Sequence, residues 1–533
     1  MMGLEAVQGP ALVTFLVGFI TLLLYWYSTR NFDYWKKRNV KYVKPFPLFG
    51  TLAEFFIKPF YEVEQKRYLE FGRVYGHFEG NHPCLSVADP QLLRNIFVKD
   101  FNFFPMRREM DTGNEIFDKM VSAVTGEDWK RLRTIITPTF STGKIKRMMS
   151  IIKDCSKTLI QNLNTENQKG DPIDVHRFYG AFAMDVIASS AFSTKLDSHN
   201  DPDNEFVQTA KKIFKNPLNW RFMVFFFFPK LLKWLKLSIF DSSVTNFFSD
   251  VTLQIIEERK KTGQTRNDFL QLLLDITKEE TDDPNSELNE QENEDISVYG
   301  GVSTEHQVFT NVSKKSMSQS ELVAQCVNFF VAGFDANVAA LGHASYMMAL
   351  HQDKQERVHQ ELAEALEKTN GELTYEALQS LKYMDSFISE TFRILPAAVK
   401  IERQCAQDYV LGETGITIPK GMILSIPVYC IHRDPEWFPD PEKFDPERFM
   451  GTDRASRFQY TYLPFGAGPR NCVGMRFVLT ELKVALAYLV ANFKINRCPQ
   501  TKVPIEFRKV PVLLIPKNIF VSLEPRNDNP LLK

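Results

Sequence analysis

A large, mainly helical globule with a small β portion, preceded by a single membrane anchor, is the fold class the sequence predicts. Three observations carry that expectation. An uncharged apolar run, Ala11 to Tyr27, lies near the N-terminus. Long stretches such as "SELVAQCVNFFVAGF" (320–334), "ASYMMALHQDKQERVHQELAEALEK" (344–368) and "LKYMDSFISETFRIL" (381–395) place apolar residues every three to four positions, the period of a half-buried helix. Strand-like pieces gather late, in "GITIPKGMILSIPVYC" (415–430), "VPIEF" and "NIFVSL", and do not alternate regularly with helices. That pattern excludes a doubly wound sheet and favours one α+β domain.

The anchor comes first. Seventeen uncharged residues are the short end of one bilayer crossing. Glu5 precedes the run, while Arg30, Lys36, Lys37, Arg38, Lys41 and Lys44 follow it, so positive-inside asymmetry puts the remainder in the cytoplasm. No small-residue cleavage site follows, which argues for an uncleaved anchor over 1–29. Residues 30–50 read as a basic linker ending in the stiff turn "KPFPLFG", and 51–533 as the catalytic domain. A formal net charge of −1 gives no reason to expect nucleic acid as a partner. Seven widely spaced cysteines, with no CxxC pair, argue against a disulfide framework or structural zinc.

Two interior segments stand apart. Residues 279–318 open with the acidic "EETDDPNSELNEQENED" and read as a disordered surface loop. Its sequon Asn311-Val312-Ser313 stays idle on a cytosolic face. "FMVFFFFPKLLKWLKLSIF" (222–240) sets Lys230, Lys233 and Lys236 among large apolar residues, the look either of a lipid-facing element or of an ordinary core segment.

The chemistry sits in "PFGAGPRNCVGMRF" (464–477). Glycines on both sides of Cys472 allow close backbone approach to a flat ligand and aim amides at the sulfur. Such donors lower a thiol's pKa and keep it ionised as a metal ligand. Phe465, Gly468, Arg470, Cys472 and Gly474 together spell FxxGxRxCxG. This resembles the haem loop of the cytochrome P-450 family, whose axial thiolate donates electron density to haem iron. Further patterns follow in that family's order. Glu390 and Arg393 match its ExxR, and "PERF" supplies Arg448, implying a buried structural network. "WKRLR" (129–133) matches WxxxR, with Trp129 and Arg133 toward a haem propionate. Arg107, Arg403 and Arg470 fall where members place further propionate arginines, a task suited to the planar guanidinium. "HRDPEWFPDPEKFDPERF" and the anchor look most like the branch holding the vertebrate 3A drug-metabolising enzymes and thromboxane synthase.

The resemblance gives meaning to "NFFVAGFDANVAA" (328–340), an apolar helix interrupted by Gly333, Asp335 and Asn337. A mid-helix glycine costs about 1 kcal/mol against alanine. In the family this helix crosses above the haem, so small residues at Ala332 and Gly333 are expected to leave room for dioxygen and Asp335 to feed a proton relay. The family's usual threonine is Ala336 here, without the hydroxyl that helps hold the relay water. Asn337 lies about 100° further round the helix and cannot take its place.

The resemblance therefore implies haem b on Cys472 and a monooxygenase in the endoplasmic reticulum membrane. It would act on a lipophilic substrate, with NADPH electrons delivered by NADPH–cytochrome P-450 reductase and cytochrome b5 as a second partner. Lys130, Lys144, Lys146 and Arg147 form either a docking face for an acidic reductase or a solvated helix face. Ala336 also leaves open an isomerase that rearranges a lipid endoperoxide or hydroperoxide without a reductase.

Overall fold

The computed structural model describes residues 2–109, 111–192, 194–215, 238, 242–278, 316–451, 459–509 and 512–532. The 222–240 segment, apart from Ser238, and residues 279–315 with their sequon lie outside the described residues. The chain divides into two compact units, Met1–Arg108 with Lys400–Cys430, and Glu109–Val399 with Ile431–Lys533.

In the first unit, the helix Met2–Thr29 leaves Leu12 to Leu24 largely exposed. It is one of two helices, among the described residues, long and apolar enough to cross a membrane. Residues 30–50, the expected linker, are mostly exposed or half-buried but are tied to the sheet around Trp35 and Val43. Trp35 is fully buried and its Nε1 donates to His77 O at 3.2 Å. Gly76 makes this possible, since a Cβ there would lie 2.4 Å from the Trp35 ring. Backbone bonds Val43 N–H to Gly76 O and Gly76 N–H to Lys41 O finish the attachment.

The sheet of this unit runs Val74–Glu79, His82–Val87, Ile423–Ile426, Ile401–Gln404. The first and last pairings are antiparallel, while the central one, Cys84 beside Ile423 to Ser86 beside Ser425, is parallel. Half of the sheet thus comes from residues 74–87, which the late clustering of strand-like sequence did not anticipate. Period-two alternation is hidden there because the strands are buried on both faces.

The second unit is built around the helix Gln319–Leu350, which begins at a capping box in which Ser318 and Glu321 satisfy each other's backbone amides. It packs along the helices Val175–Ala191 and Met475–Asn492. Gly333 sits where a Cβ would meet Ile187 Cδ1 at 3.3 Å. A small residue there lets the two helices pack closely. A second small sheet joins Ile173–Asp174, Phe520–Pro525 and Phe493–Asn496.

Candidate active site

The cysteine loop owes its path to two residues in left-handed backbone, Gly466 at φ 76° and Gly468 at φ 70°. Asn471 N–H then donates to Gly468 O and Cys472 N–H to Phe465 O, each at 2.9 Å. These bonds fold the loop into a hairpin-like turn with Cys472 half-buried. The helix Met475–Asn492 starts three residues later, so its N-terminal amides and dipole favour negative charge beside the sulfur.

Predicted residues of the helix Gly126–Ile136 converge on this turn. Arg133, buried, donates from Nη1 to Asn471 O at 3.0 Å and from Nη2 to Asn471 Oδ1 at 2.6 Å. The Arg470 guanidinium lies 4.0 Å over the buried Trp129 ring, and its Nη2 donates to Val124 O at 2.9 Å. Phe465 meets the Phe392 ring edge-on at 5.7 Å. In the second unit, then, Trp129, Arg133, Phe465, Gly468, Arg470, Cys472 and Gly474 form one assembly.

Arg107 and Arg403 belong to the first unit. Arg403 is 1% exposed, whereas Arg107 is exposed. Burial, with Arg107 adding repulsion, pushes the Arg403 guanidinium down to about 9. Its Nη1 donates to Glu402 O at 2.9 Å, while Nε is buried without an acceptor among the described residues. The guanidinium also lies 4.9 Å over the Phe97 ring, and its unmatched donor leaves capacity for an anion such as a propionate. Within the second unit, the glycine-shaped turn around Cys472, with Arg133 and Arg470 buried beside it, fits haem.

Glu390, Arg393 and Arg448 are brought together in the second unit. Arg393 grips Glu390 through Nε to Oε2 at 2.7 Å and Nη2 to Oε1 at 2.9 Å, with both side chains fully buried. Arg393 Nη1 also donates to His432 O, and Asp445 N–H donates to Glu390 Oε1 at 2.8 Å. Arg448 Nε stands 3.4 Å from the same oxygen.

Between its two ends, the central helix is accessible in its middle. Leu322–Val327 and Asn337–Ala349 are buried, whereas Ala332 is exposed and Gly333–Ala336 are half-buried. Burial pushes the Asp335 carboxyl up to about 6, although Arg508 pulls the other way. Asn337 parts from its half-buried neighbours, in keeping with its different angular position on the helix. It is buried, and its Nδ2 donates to Glu481 Oε2 at 2.7 Å.

Glu481 is the residue sequence reading missed. It is 1% exposed on the helix after Cys472, and burial pushes its carboxyl up to about 8 despite the Asn337 amide. Its Oε1 has no hydrogen-bond partner among the described residues. A single acid inside the apolar run "FVLTELKVALAYLV" was the available signal.

The cytochrome P450 family model matches residues 40–299 and 301–523. Cytochrome P450 3A25 of Mus musculus is 33% identical over 512 residues, 95% of each chain. Cytochrome P450 3A7 of Homo sapiens is 33% identical and cytochrome P450 3A9 of Rattus norvegicus 32%, each over 532 residues that cover 98% of this chain and 99% of the relative. With a glycine-shaped cysteine turn, the ExxR pair and this extent of similarity, the chain belongs to the cytochrome P450 family of haem-thiolate monooxygenases.

Proposed function

We propose that this chain is a membrane-anchored monooxygenase that inserts one atom of O2 into a lipophilic organic substrate. NADPH electrons would reach it through NADPH–cytochrome P-450 reductase, with cytochrome b5 as a second partner. The helix Met2–Thr29 would hold it in the endoplasmic reticulum membrane with the catalytic region on the cytoplasmic side. The observation that carries the reading is the turn at Cys472, where loop geometry and a helix N-terminus both favour a thiolate.

Cys472 would hold haem through its thiolate, Trp129, Arg133 and Arg470 would bind its propionates, and the family resemblance gives Arg107 and Arg403 the same task. When bound, haem supplies oxygen activation. The protein's own part is positioning and proton handling. Ala332 leaves the middle of the central helix accessible, and the mostly apolar stretch Phe329 to Ala336 would supply a wall suited to a lipophilic substrate. Asp335, raised to about 6, holds a proton over part of the physiological range and can pass it to a water in that space. Glu390, Arg393 and Arg448 would act structurally.

Ala336 favours a second reading. With no hydroxyl beside Asp335, the chain also suits a reductase-independent isomerase of a lipid endoperoxide or hydroperoxide.

The test has two stages. Purified protein, reduced and exposed to carbon monoxide, should show the red-shifted band of a thiolate-bound haem, and Cys472→Ser should abolish it. A folded, haem-loaded wild type without that band overturns the family chemistry at this residue. Labelled O2 then separates the readings. NADPH-dependent label in the product supports the monooxygenase, and endoperoxide turnover without NADPH supports the isomerase.

A further inference from the structure

We propose that His77, Glu79 and Cys84, on one face of the hairpin 74–87, form an exchangeable zinc site that the exposed His82 closes as fourth ligand. All four residues belong to the first unit. The missing CxxC pair speaks against zinc sites built on paired cysteines, whereas this one needs a single thiol.

Strand pairing assembles the donors. His77 lies directly opposite Cys84, and Glu79 directly opposite His82. Residues two apart on a strand share a face with the residues opposite them, so the four side chains form a square on one side of the hairpin. The ligand atoms of His77, Glu79 and Cys84 all lie within 4.8 Å of one another. Tetrahedral zinc with bonds of about 2.0–2.3 Å spaces its ligands about 3.5 Å apart, a difference that small side-chain rotations close. His82, exposed at the start of its strand, leaves the ion a way in from solvent.

Two donors have unused capacity. His77 is 7% exposed, and its Nδ1 is buried without a hydrogen-bond partner among the described residues. Buried polar atoms are ordinarily matched, and leaving one unmatched costs about 1–3 kcal/mol. The Cys84 thiol, 1% exposed, makes a weak contact of 3.8 Å to His82 O. Thiolate, imidazole and carboxylate together are a zinc donor set, softer than magnesium or calcium sites use.

The frame is firm, and its charges admit a cation without requiring one. Trp35 Nε1 donates to His77 O at 3.2 Å, while Asn81 at the hairpin tip donates to Tyr27 O and accepts from Asn31. Arg108 Nη2 faces Glu79 Oε2 at 2.7 Å as an ion pair without hydrogen-bonding geometry, and its Nε and Nη2 donate to Glu402. Lys400 Nζ pairs with Glu402 Oε1 at 2.6 Å and stays 4.0 Å from Glu79 Oε1. Glu79 therefore has one oxygen to offer a metal while Arg108 orients the other, as carboxylate ligands are commonly held. The charges of Glu79, Glu402, Arg108 and Lys400 cancel. Zinc can leave without stranding an unpaired buried anion, which makes the ion exchangeable.

The experiment uses the full-length, haem-loaded protein and zinc ion alone. Equilibrium dialysis counts zinc per haem, and X-ray absorption at the zinc edge counts the sulfur atoms around the ion. The expected result is one zinc per haem at saturation, with one sulfur ligand at about 2.3 Å. His77→Phe and Cys84→Val should each weaken binding more than about tenfold. Cys498→Ala, at a half-buried thiol of the second unit, should leave it unchanged. Zinc held by oxygen and nitrogen alone, or bound equally by all three variants, is an adventitious ion only and overturns the site. Chelating the zinc should preserve the carbon monoxide band, and loss of that band with the metal overturns the exchangeable assignment. The same band checks the folding of each variant. Should His77→Phe or Cys84→Val lose it, Glu79→Gln keeps the shape of the site and should show the same weakened binding; unchanged binding there overturns the proposal.

Discussion

Glu390 and Glu481 are equally buried carboxyls of the second unit, on helices that share its core, yet their surroundings differ sharply. Glu390 accepts two bonds from Arg393 and one from the Asp445 amide, with Arg448 close by. Glu481 accepts one bond from the neutral Asn337 amide. Burial raises both, but the guanidinium groups counter it at Glu390, while at Glu481 the carboxyl is pushed up to about 8. The number and charge of the donors, more than the depth of burial, decides whether a buried acid is a fixed anion or a proton store.

Removing Arg393 breaks this contrast most severely. Arg393→Ala strips two donors from a fully buried carboxylate and also abandons His432 O. We expect a loss of about 3–5 kcal/mol of stability, with most of the protein recovered without haem. Denaturant titration measures it. A loss below about 1 kcal/mol would mean that Arg448 and the Asp445 amide suffice alone. Converting both partners to an uncharged pair, Glu390→Gln with Arg393→Met, should restore part of the loss, because no charge is then left buried.

Glu481 should behave oppositely. Its folded carboxyl titrates at about 8, above the ordinary 4.5, so between those values the native state binds a proton that the unfolded chain has released. Stability then falls as pH rises through that window and levels off above it. Glu481→Gln keeps an acceptor for Asn337 and removes the titration. Its melting temperature should therefore change less than that of the wild type between pH 5 and pH 8. Parallel curves for the two proteins would show that Glu481 is already ionised across this range.

The contrast also shows where sequence reading works. The Cys472 turn was legible because its glycines, arginine and cysteine lie within one short stretch and their chemistry is local. The ExxR pair was legible for the same reason, since residues three apart share a helix face. Glu481 and Asn337 were not, because they are 144 positions apart and their contact exists only once two helices pack. The approach of Gly333 to Ile187 was hidden for a related reason, as nothing in the sequence names that neighbour. Residues 30–50 looked like a linker because basic residues dominate, although a single buried Trp35 ties them to the sheet.

Asp335 is the intermediate case, and the smallest expected effect lies there. It is half-buried and raised to about 6, with Arg508 the cation that opposes burial. Arg508 is exposed, so solvent and salt weaken its pull. Arg508→Met should therefore raise the Asp335 pKa only slightly. The sign matters more than the size. An acid that feeds a relay must be protonated, so a higher pKa extends its working range toward alkaline pH. The pH at which uncoupled peroxide release sets in should accordingly move upward in Arg508→Met. Added salt should move the wild type in the same direction and leave the variant almost unchanged, since it screens an interaction the variant lacks. A downward move, or an equal salt response in both proteins, would separate Arg508 from the acid and place control of its proton elsewhere on the central helix.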